Sequence, residues 1–105
     1  MLLNARPVYK ECRKLISVDG GQDISIPYFP FIIGKSKEIT DYYLNEPGVS
    51  RLHVKFEEEK NGYLVTDLNS TNGTMVNGKL LEANETCKVD IGNEIIVASR
   101  KFRFQ

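Results

Sequence analysis

A small all-β domain, a sandwich or a barrel, is the fold class that three features of this sequence predict. Short apolar runs are separated by turn residues about every eight to twelve positions, the spacing of strands rather than helices. Asn-Gly and Asp-Gly pairs fall between such runs, at positions 61–62, 77–78 and 19–20, and this dipeptide is the strongest short-range hairpin signal. No stretch carries a sustained helical period.

Taken in order, Leu15-Ile16-Ser17-Val18 runs into Asp19-Gly20-Gly21, and Ile24-Ser25-Ile26 then alternates with polar neighbours, which predicts a first hairpin. Positions 29–33 form an apolar run interrupted by Pro30. Proline cannot donate to a ladder, so this run is expected at an edge or at a strand start, with Gly34 ending it. Residues 36–44 could form one helical turn, but Thr40, Tyr42 and Tyr43 are poor helix formers and Pro47-Gly48 breaks the segment. The stretch 35–49 is therefore expected to be mostly connection, with room for a short strand at Tyr43-Leu44. Val54 to Glu59 alternates imperfectly, and after Asn61-Gly62 the run Tyr63-Leu64-Val65-Thr66-Asp67-Leu68 supplies a returning strand. Glu57-Glu58-Glu59 reads as a solvated face beside that hairpin tip. Asn77-Gly78 makes a further turn, and positions 94–98 with 102–104 read as a closing hairpin through Ser99-Arg100-Lys101.

Length and composition bound the rest. A chain of 105 residues fits one domain, which buries roughly two-thirds of the unfolded chain's surface without staples. Fourteen basic and fourteen acidic residues give a formal net charge of zero. No bulk field favours nucleic acid or an anionic membrane, so any anion recognition must be local. The two cysteines, Cys12 and Cys87, read as reduced, partly buried thiols in a cytosolic protein rather than as a disulfide. A single histidine argues against a zinc site, and no cofactor is called for. No run approaches the roughly twenty apolar residues that cross a bilayer, and the opening Met1-Leu2-Leu3-Asn4-Ala5-Arg6 lacks the pattern of a signal peptide. The chain can equally be one domain of a longer protein.

Two polar knots stand out against this background: Ser50-Arg51-Leu52-His53 and Ser70-Thr71-Asn72-Gly73-Thr74. Loops of this composition, meeting at one end of a β-domain, would present hydroxyls, amides and a guanidinium to one anion. Ser50 beside His53 also raises a nucleophile and base, but no orienting acid or nucleophile elbow accompanies them.

Gly34-Lys35, Ser50-Arg51-Leu52-His53, Asp67-Leu68-Asn69-Ser70-Thr71-Asn72-Gly73-Thr74, Asn77-Gly78 and Ile91-Gly92-Asn93 resemble, in that order, the signature of the forkhead-associated domain. The similar region covers positions 15–104. The resemblance implies a β-sandwich of two largely antiparallel sheets with about eleven short strands and functional loops at one end. It assigns 1–14 to an N-terminal extension that can supply a first strand, and 15–105 to the domain. It implies a non-catalytic module that reads phosphothreonine on a partner protein, as a monomeric cytoplasmic domain that binds neither nucleic acid nor membrane; the alternative is an interaction module of the same fold that binds an unphosphorylated partner through a sheet face or edge.

The resemblance also implies roles. Lys35, Ser50 and Thr71 would contact phosphate, with Arg51 adding a backbone donor and a guanidinium, and Asn72 would hold the peptide backbone, since an amide donates and accepts at once. Gly34, His53, Ser70, Gly73, Thr74 and Asn77 would support the site, His53 as a buried brace. Two positions depart from the family pattern. Lys35 stands where arginine is usual, which keeps the charge but loses the planar fork that grips phosphate bidentately. Asn93 stands where aspartate is usual, in a turn away from the ligand loops. Ligand preference beyond the phosphate falls to residues 36–48 and 80–89, where Glu38, Asp41, Glu46, Lys79 and Glu82 are candidates to set it.

Overall fold

The computed structural model describes residues 12–105. Eleven strands follow one another: β1 (Arg13–Ser17), β2 (Ile24–Ile26), β3 (Phe31–Gly34), β4 (Tyr42–Tyr43), β5 (Val54–Glu59), β6 (Gly62–Asp67), β7 (Thr74–Val76), β8 (Lys79–Leu80), β9 (Thr86–Val89), β10 (Glu94–Val97) and β11 (Arg100–Phe104). They form a six-stranded sheet in the order β2-β1-β11-β10-β7-β8 and a five-stranded sheet in the order β4-β3-β5-β6-β9. Every pairing is antiparallel except β3 with β4. The fold is the all-β sandwich expected from the sequence. No helix among the described residues is long and apolar enough to cross a membrane.

Alternation decides which side chains meet between the sheets. Ile24 and Ile26 of β2, Phe31 and Ile33 of β3, Ile95 and Val97 of β10, and Phe102 and Phe104 of β11 all point inward. Phe56 of the five-stranded sheet stacks on Phe104 of the six-stranded sheet with ring centroids 5.9 Å apart, and Tyr63 meets the same Phe104 edge-on at 5.2 Å. These aromatic contacts bridge the two layers. On the far face of β6 Thr66 is buried against β9, where its hydroxyl shares a 2.6 Å hydrogen bond with that of Thr86.

Several boundaries differ from the sequence reading, and register explains each. The hairpin joining β5 to β6 turns at Lys60-Asn61 rather than at Asn61-Gly62, because the register that sets Phe56 opposite Val65 also pairs Glu59 with Gly62. The last hairpin turns at Ala98-Ser99, and β11 begins already at Arg100, since Ile95 opposite Phe102 requires Val97 opposite Arg100. The short strand in the long connection is Tyr42–Tyr43 rather than Tyr43-Leu44, held parallel to β3 through Ile33 and Gly34. At Asn77-Gly78 the expected turn forms with φ of 51° and 87°, the left-handed pair that matches strand twist in a two-residue hairpin. Pro30 immediately precedes β3, a strand-start position. β1 starts at Arg13, inside the segment 1–14, and Lys14 exchanges main-chain hydrogen bonds with Gln105. A further strand in that segment would fall in 1–11, outside the described residues.

Asp19 ties the first hairpin to the last. Its carboxylate accepts from Ser17 Oγ at 2.8 Å and from the Lys101 N–H at 2.9 Å, and Arg100 pairs with it at 3.3 Å. The Lys101 N–H first, then the Ser17 hydroxyl and the Arg100 guanidinium, hold this carboxyl well below the usual carboxylate range. A carboxyl whose pKa is lowered by folding stabilises the native state above about pH 4, its unfolded range, and loses that contribution as pH falls below it. Thermal melts of the parent and of Asp19→Asn between pH 7 and pH 2 are therefore expected to converge as acid is added, with the parent more stable only at the upper end. For the core, Phe104→Ala is expected to lower the unfolding free energy in urea by about 3–5 kcal/mol, because both sheets lose their shared aromatic contact.

Candidate functional site

Both polar knots lie at the same end of the sandwich. Residues 50–53 lead into β5 and residues 68–73 leave β6, so the antiparallel pairing of those strands sets the loops side by side. Val54 and Asp67 form the last registered pair, and Leu68 N–H continues the ladder to His53 O at 2.9 Å.

A glycine allows the first loop to close on β3. The N–H of Lys35 donates to Ser50 O at 2.9 Å, and the N–H of His53 donates to Ile33 O at 3.0 Å. Between these two bonds a Cβ on Gly34 would lie 2.1 Å from Arg51 O. Only a residue without a side chain fits there.

His53 joins the first loop to the second. It is fully buried; its Nδ1 accepts the Ser50 N–H at 3.1 Å and its Nε2 donates to Gly73 O at 2.8 Å. A main-chain N–H can only donate and a carbonyl can only accept, so one tautomer, with hydrogen on Nε2, satisfies both partners. The ring faces the main chain of Ser50 and not its hydroxyl. Ser50 Oγ instead accepts the N–H of Thr71 at 2.9 Å, a second link between the loops. A third is Asn72, whose Nδ2 donates to Gly48 O at 2.9 Å.

The second loop is wound around Asp67, a buried carboxylate at the end of β6. It accepts the Ser70 N–H at 3.0 Å, the Ser70 hydroxyl, and the Thr74 hydroxyl at 2.7 Å. Ser70 Oγ in turn accepts the Gly73 N–H at 3.0 Å. Three donors compensate the burial of the charge. Asn69 and Gly73 complete the winding with φ of 59° and 85°.

What these links leave at the surface is an open depression of about 760 Å³, lined by Ser50, Arg51, Leu52, Thr71 and Asn72 together with Ile39, Gly48, Val49 and Asn69. No carboxylate lines it. Arg51 and Lys35 are exposed, and neither forms an ion pair among the described residues. Ser50 Oγ keeps its own proton to donate, and Asn72 keeps its carbonyl oxygen. The depression can therefore offer a guanidinium, hydroxyls and an amide to an anion carried on an extended chain. No group of three or more His, Cys, Asp or Glu among the described residues could hold a metal ion.

Of the residues singled out in the sequence, Ser50, Arg51, Thr71 and Asn72 converge on the depression, while Gly34, His53, Ser70, Gly73 and Thr74 lie behind it. Lys35 is beside it, joined through its main chain, and is not among the lining residues. Asn77 sits apart, in the turn between β7 and β8, where its N–H meets Glu94 O at 2.7 Å. Asn93, the other departure, closes the turn into β10 by accepting the Asp90 N–H at 2.9 Å. None of Glu38, Asp41, Glu46, Lys79 and Glu82 lines the depression. Sequence reasoning gave no role to Asp67, although an acidic side chain three residues before a serine is a pattern for local side-chain to main-chain bonds. Ile39 and Leu52, which also line the depression, were given no role of their own, being single apolar residues in polar loops.

A family model described as the FHA domain matches residues 31–98 of the chain. No curated protein matches it in sequence. Among solved structures, Mycobacterium tuberculosis EmbR in complex with a low-affinity phosphopeptide superposes with a TM-score of 0.80 at 23% identity over 91% of this chain, which spans 24% of that one. A structure from work on phosphothreonine-dependent FHA domain interactions gives 0.76 at 27% identity, covering 90% of this chain and 95% of that one. The N-terminal FHA domain of S. cerevisiae Rad53p in complex with a phosphothreonine peptide gives 0.76 at 22% identity, covering 89% and 91%. At such identities the likeness to EmbR and Rad53p is one of fold.

His53→Ala is expected to destabilise the protein by about 2–4 kcal/mol, through a buried cavity and an orphaned Ser50 N–H. Gly34→Ala, which forces the 50–51 main chain away from β3, is expected to cost roughly 2 kcal/mol or more. Urea denaturation measures both, and amide hydrogen exchange in residues 50–53 and 70–73 should accelerate in each variant.

Proposed function

The chain belongs to the FHA domain family, and from that premise we propose that it is a non-catalytic module that binds a phosphothreonine-bearing segment of a partner protein. The observation that carries this reading is the Ser50–Thr71 link, 2.9 Å long, between two residues that line a depression with a guanidinium and no carboxylate. A phosphothreonine brings about −1.5 to −2 charges and three strong acceptor oxygens, so it needs convergent donors and at least one cation. Arg51 and the Ser50 hydroxyl meet the phosphate, with Thr71 beside them and Lys35 adding charge from the rim. Asn72, anchored on Gly48 by its amide hydrogen, turns its carbonyl oxygen to an N–H of the extended ligand. The complexes of EmbR and Rad53p with phosphorylated peptides support the same ligand class for this fold.

The loops are held by His53, Asp67 and Gly34 before any ligand arrives, so little ordering entropy opposes binding. The contact is nonetheless small, one phosphate and a few extended residues, and its charges are exposed. Binding is expected in the micromolar range, about −8 kcal/mol, and should weaken with salt.

Calorimetric titration with one peptide in phosphothreonine, phosphoserine and unphosphorylated forms tests the reading. The phosphothreonine form should bind best, and equal affinity for all three would overturn it. Arg51→Ala should weaken binding about tenfold or more, as expected for a lost charge-assisted contact. Lys35→Ala should weaken it to a smaller extent, whereas Lys35→Arg should preserve or raise it; unchanged affinity in Lys35→Ala would remove Lys35 from the site.

A further inference from the structure

An antiparallel sheet with one face in water normally alternates apolar inward and polar outward, and the outer face of the six-stranded sheet departs from this. Met75 of β7 points outward between the buried Thr74 and Val76, and Ile96 of β10 points outward between the buried Ile95 and Val97. These two stand opposite one another, and Met75 stands opposite Leu80 of β8. On the other side of Ile96 the row continues through Lys101 of β11 to Val18, whose N–H donates to Lys101 O at 3.0 Å. Leu80 is 60% exposed and Val18 45%. An aliphatic row interrupted by one lysine thus crosses the sheet in contact with solvent.

The charges of this face are one-sided. Lys101 lies within the row, and Arg103 and Lys14 flank it on β11 and β1. Glu94, opposite Arg103, is the one acid among the outward residues of these strands. None of the three cations forms an ion pair among the described residues. The outer face of the five-stranded sheet is different, because its cations are already matched: Lys55 pairs with Glu57 at 3.5 Å and Lys88 with Glu59 at 3.7 Å. Only the six-stranded sheet presents unpaired positive charge beside aliphatic surface, which complements a partner that is acidic and apolar at once.

From this we propose that the outer face of the six-stranded sheet is a second docking surface, and that its occupant is an amphipathic acidic helix of a partner protein. Neighbouring strands lie about 4.8 Å apart, so the row advances by nearly the same step as side chains at i and i+3 or i+4 on a helix, roughly 5–6 Å. A helix laid across the strands sets one aliphatic residue per turn against Leu80, Met75 and Ile96, and its acids reach Lys101, Arg103 and Lys14. A second copy of this chain has no helix to offer among its described residues. None of these side chains lines the depression that contains Arg51 and Thr71, so a helix here and a phosphopeptide there can be bound together.

The probe is a fluorescein-labelled helical peptide of leucine, glutamate and alanine, with leucine at i, i+4 and i+7 and glutamate on either side, titrated by anisotropy against the whole chain. It should bind, weaken with salt, and shift amide resonances in β7, β10 and β11. The double variant Lys14→Glu, Lys101→Glu should weaken it about tenfold or more, since like charges then face each other, and Leu80→Ser should weaken it several-fold by removing apolar contact. Melting temperatures recorded for each variant should stay near the parent's, because all three positions are exposed. No binding, equal binding of a scrambled peptide of the same composition, or shifts confined to residues 50–53 and 68–73 overturns the inference, and so does binding to phosphatidylserine vesicles but not to the peptide. A phosphothreonine peptide should bind the parent and both variants alike; its loss in either variant overturns the separateness of the two surfaces, whereas failure of the helix with phosphopeptide binding intact leaves the phosphothreonine reading standing.

Discussion

A single buried imidazole spans the gap between the two loops, and the shape of that end of the sandwich follows from what its ring nitrogens must do. Nδ1 accepts from Ser50 and Nε2 donates to Gly73, so the distance between the loops is set by the width of one ring. Gly73 O also takes the Ala98 N–H, which extends the tie to the turn between β10 and β11. The same carbonyl thereby connects the two sheets at the rim of the sandwich. A neutral imidazole offers one acceptor and one donor at fixed positions on a rigid ring, and a buried group of this kind stabilises only when both are satisfied.

Around this tie, the polar groups at the same end divide into those turned inward and those left free. Asp67 faces the loop it winds, and its charge is compensated by Ser70 and Thr74 rather than by a cation. Glu46 and Asp19 face Arg100. Arg51 is left without a carboxylate partner among the described residues, in a molecule whose formal net charge is zero. At this end the acids are thus held by main-chain and side-chain partners, and the Arg51 guanidinium is not.

Most of the architecture was legible from the sequence because strand alternation and turn residues are local signals. The hairpins β1–β2, β5–β6, β7–β8 and β10–β11 were each marked by such a turn, and Phe56, Phe102 and Phe104, which the structure buries, alternate with polar neighbours in the sequence. Turn positions were less legible, since register answers to the partner strand: Phe56 opposite Val65 moved one turn to Lys60-Asn61. The candidate site was legible through its ordered motif. The contribution of Asp67 was not, because three hydrogen bonds to one carboxylate appear only when its loop has folded back on it. The five charged residues first offered as selectors failed to reach the depression for a related reason. A charge in a loop carries no direction until its partner is known, and Asp41, Glu46 and Lys79 found theirs within the protein.

What the sequence determined by itself is the strand periodicity, the all-β class, and the presence of two polar loops with the residue types an anion requires. Tertiary structure decided which of those residues share a surface. Ser50 and Thr71 lie far apart along the chain and come to 2.9 Å because β5 and β6 pair antiparallel and His53 closes the ends. It also decided that Ile39 joins them while Lys35 stays beside the depression. Local pattern can state what a segment can donate, but the position of a donor in space depends on packing with segments distant in sequence, and the Cβ that Gly34 lacks is the clearest case. Its absence acquires meaning only when Arg51 O arrives where that atom would have been.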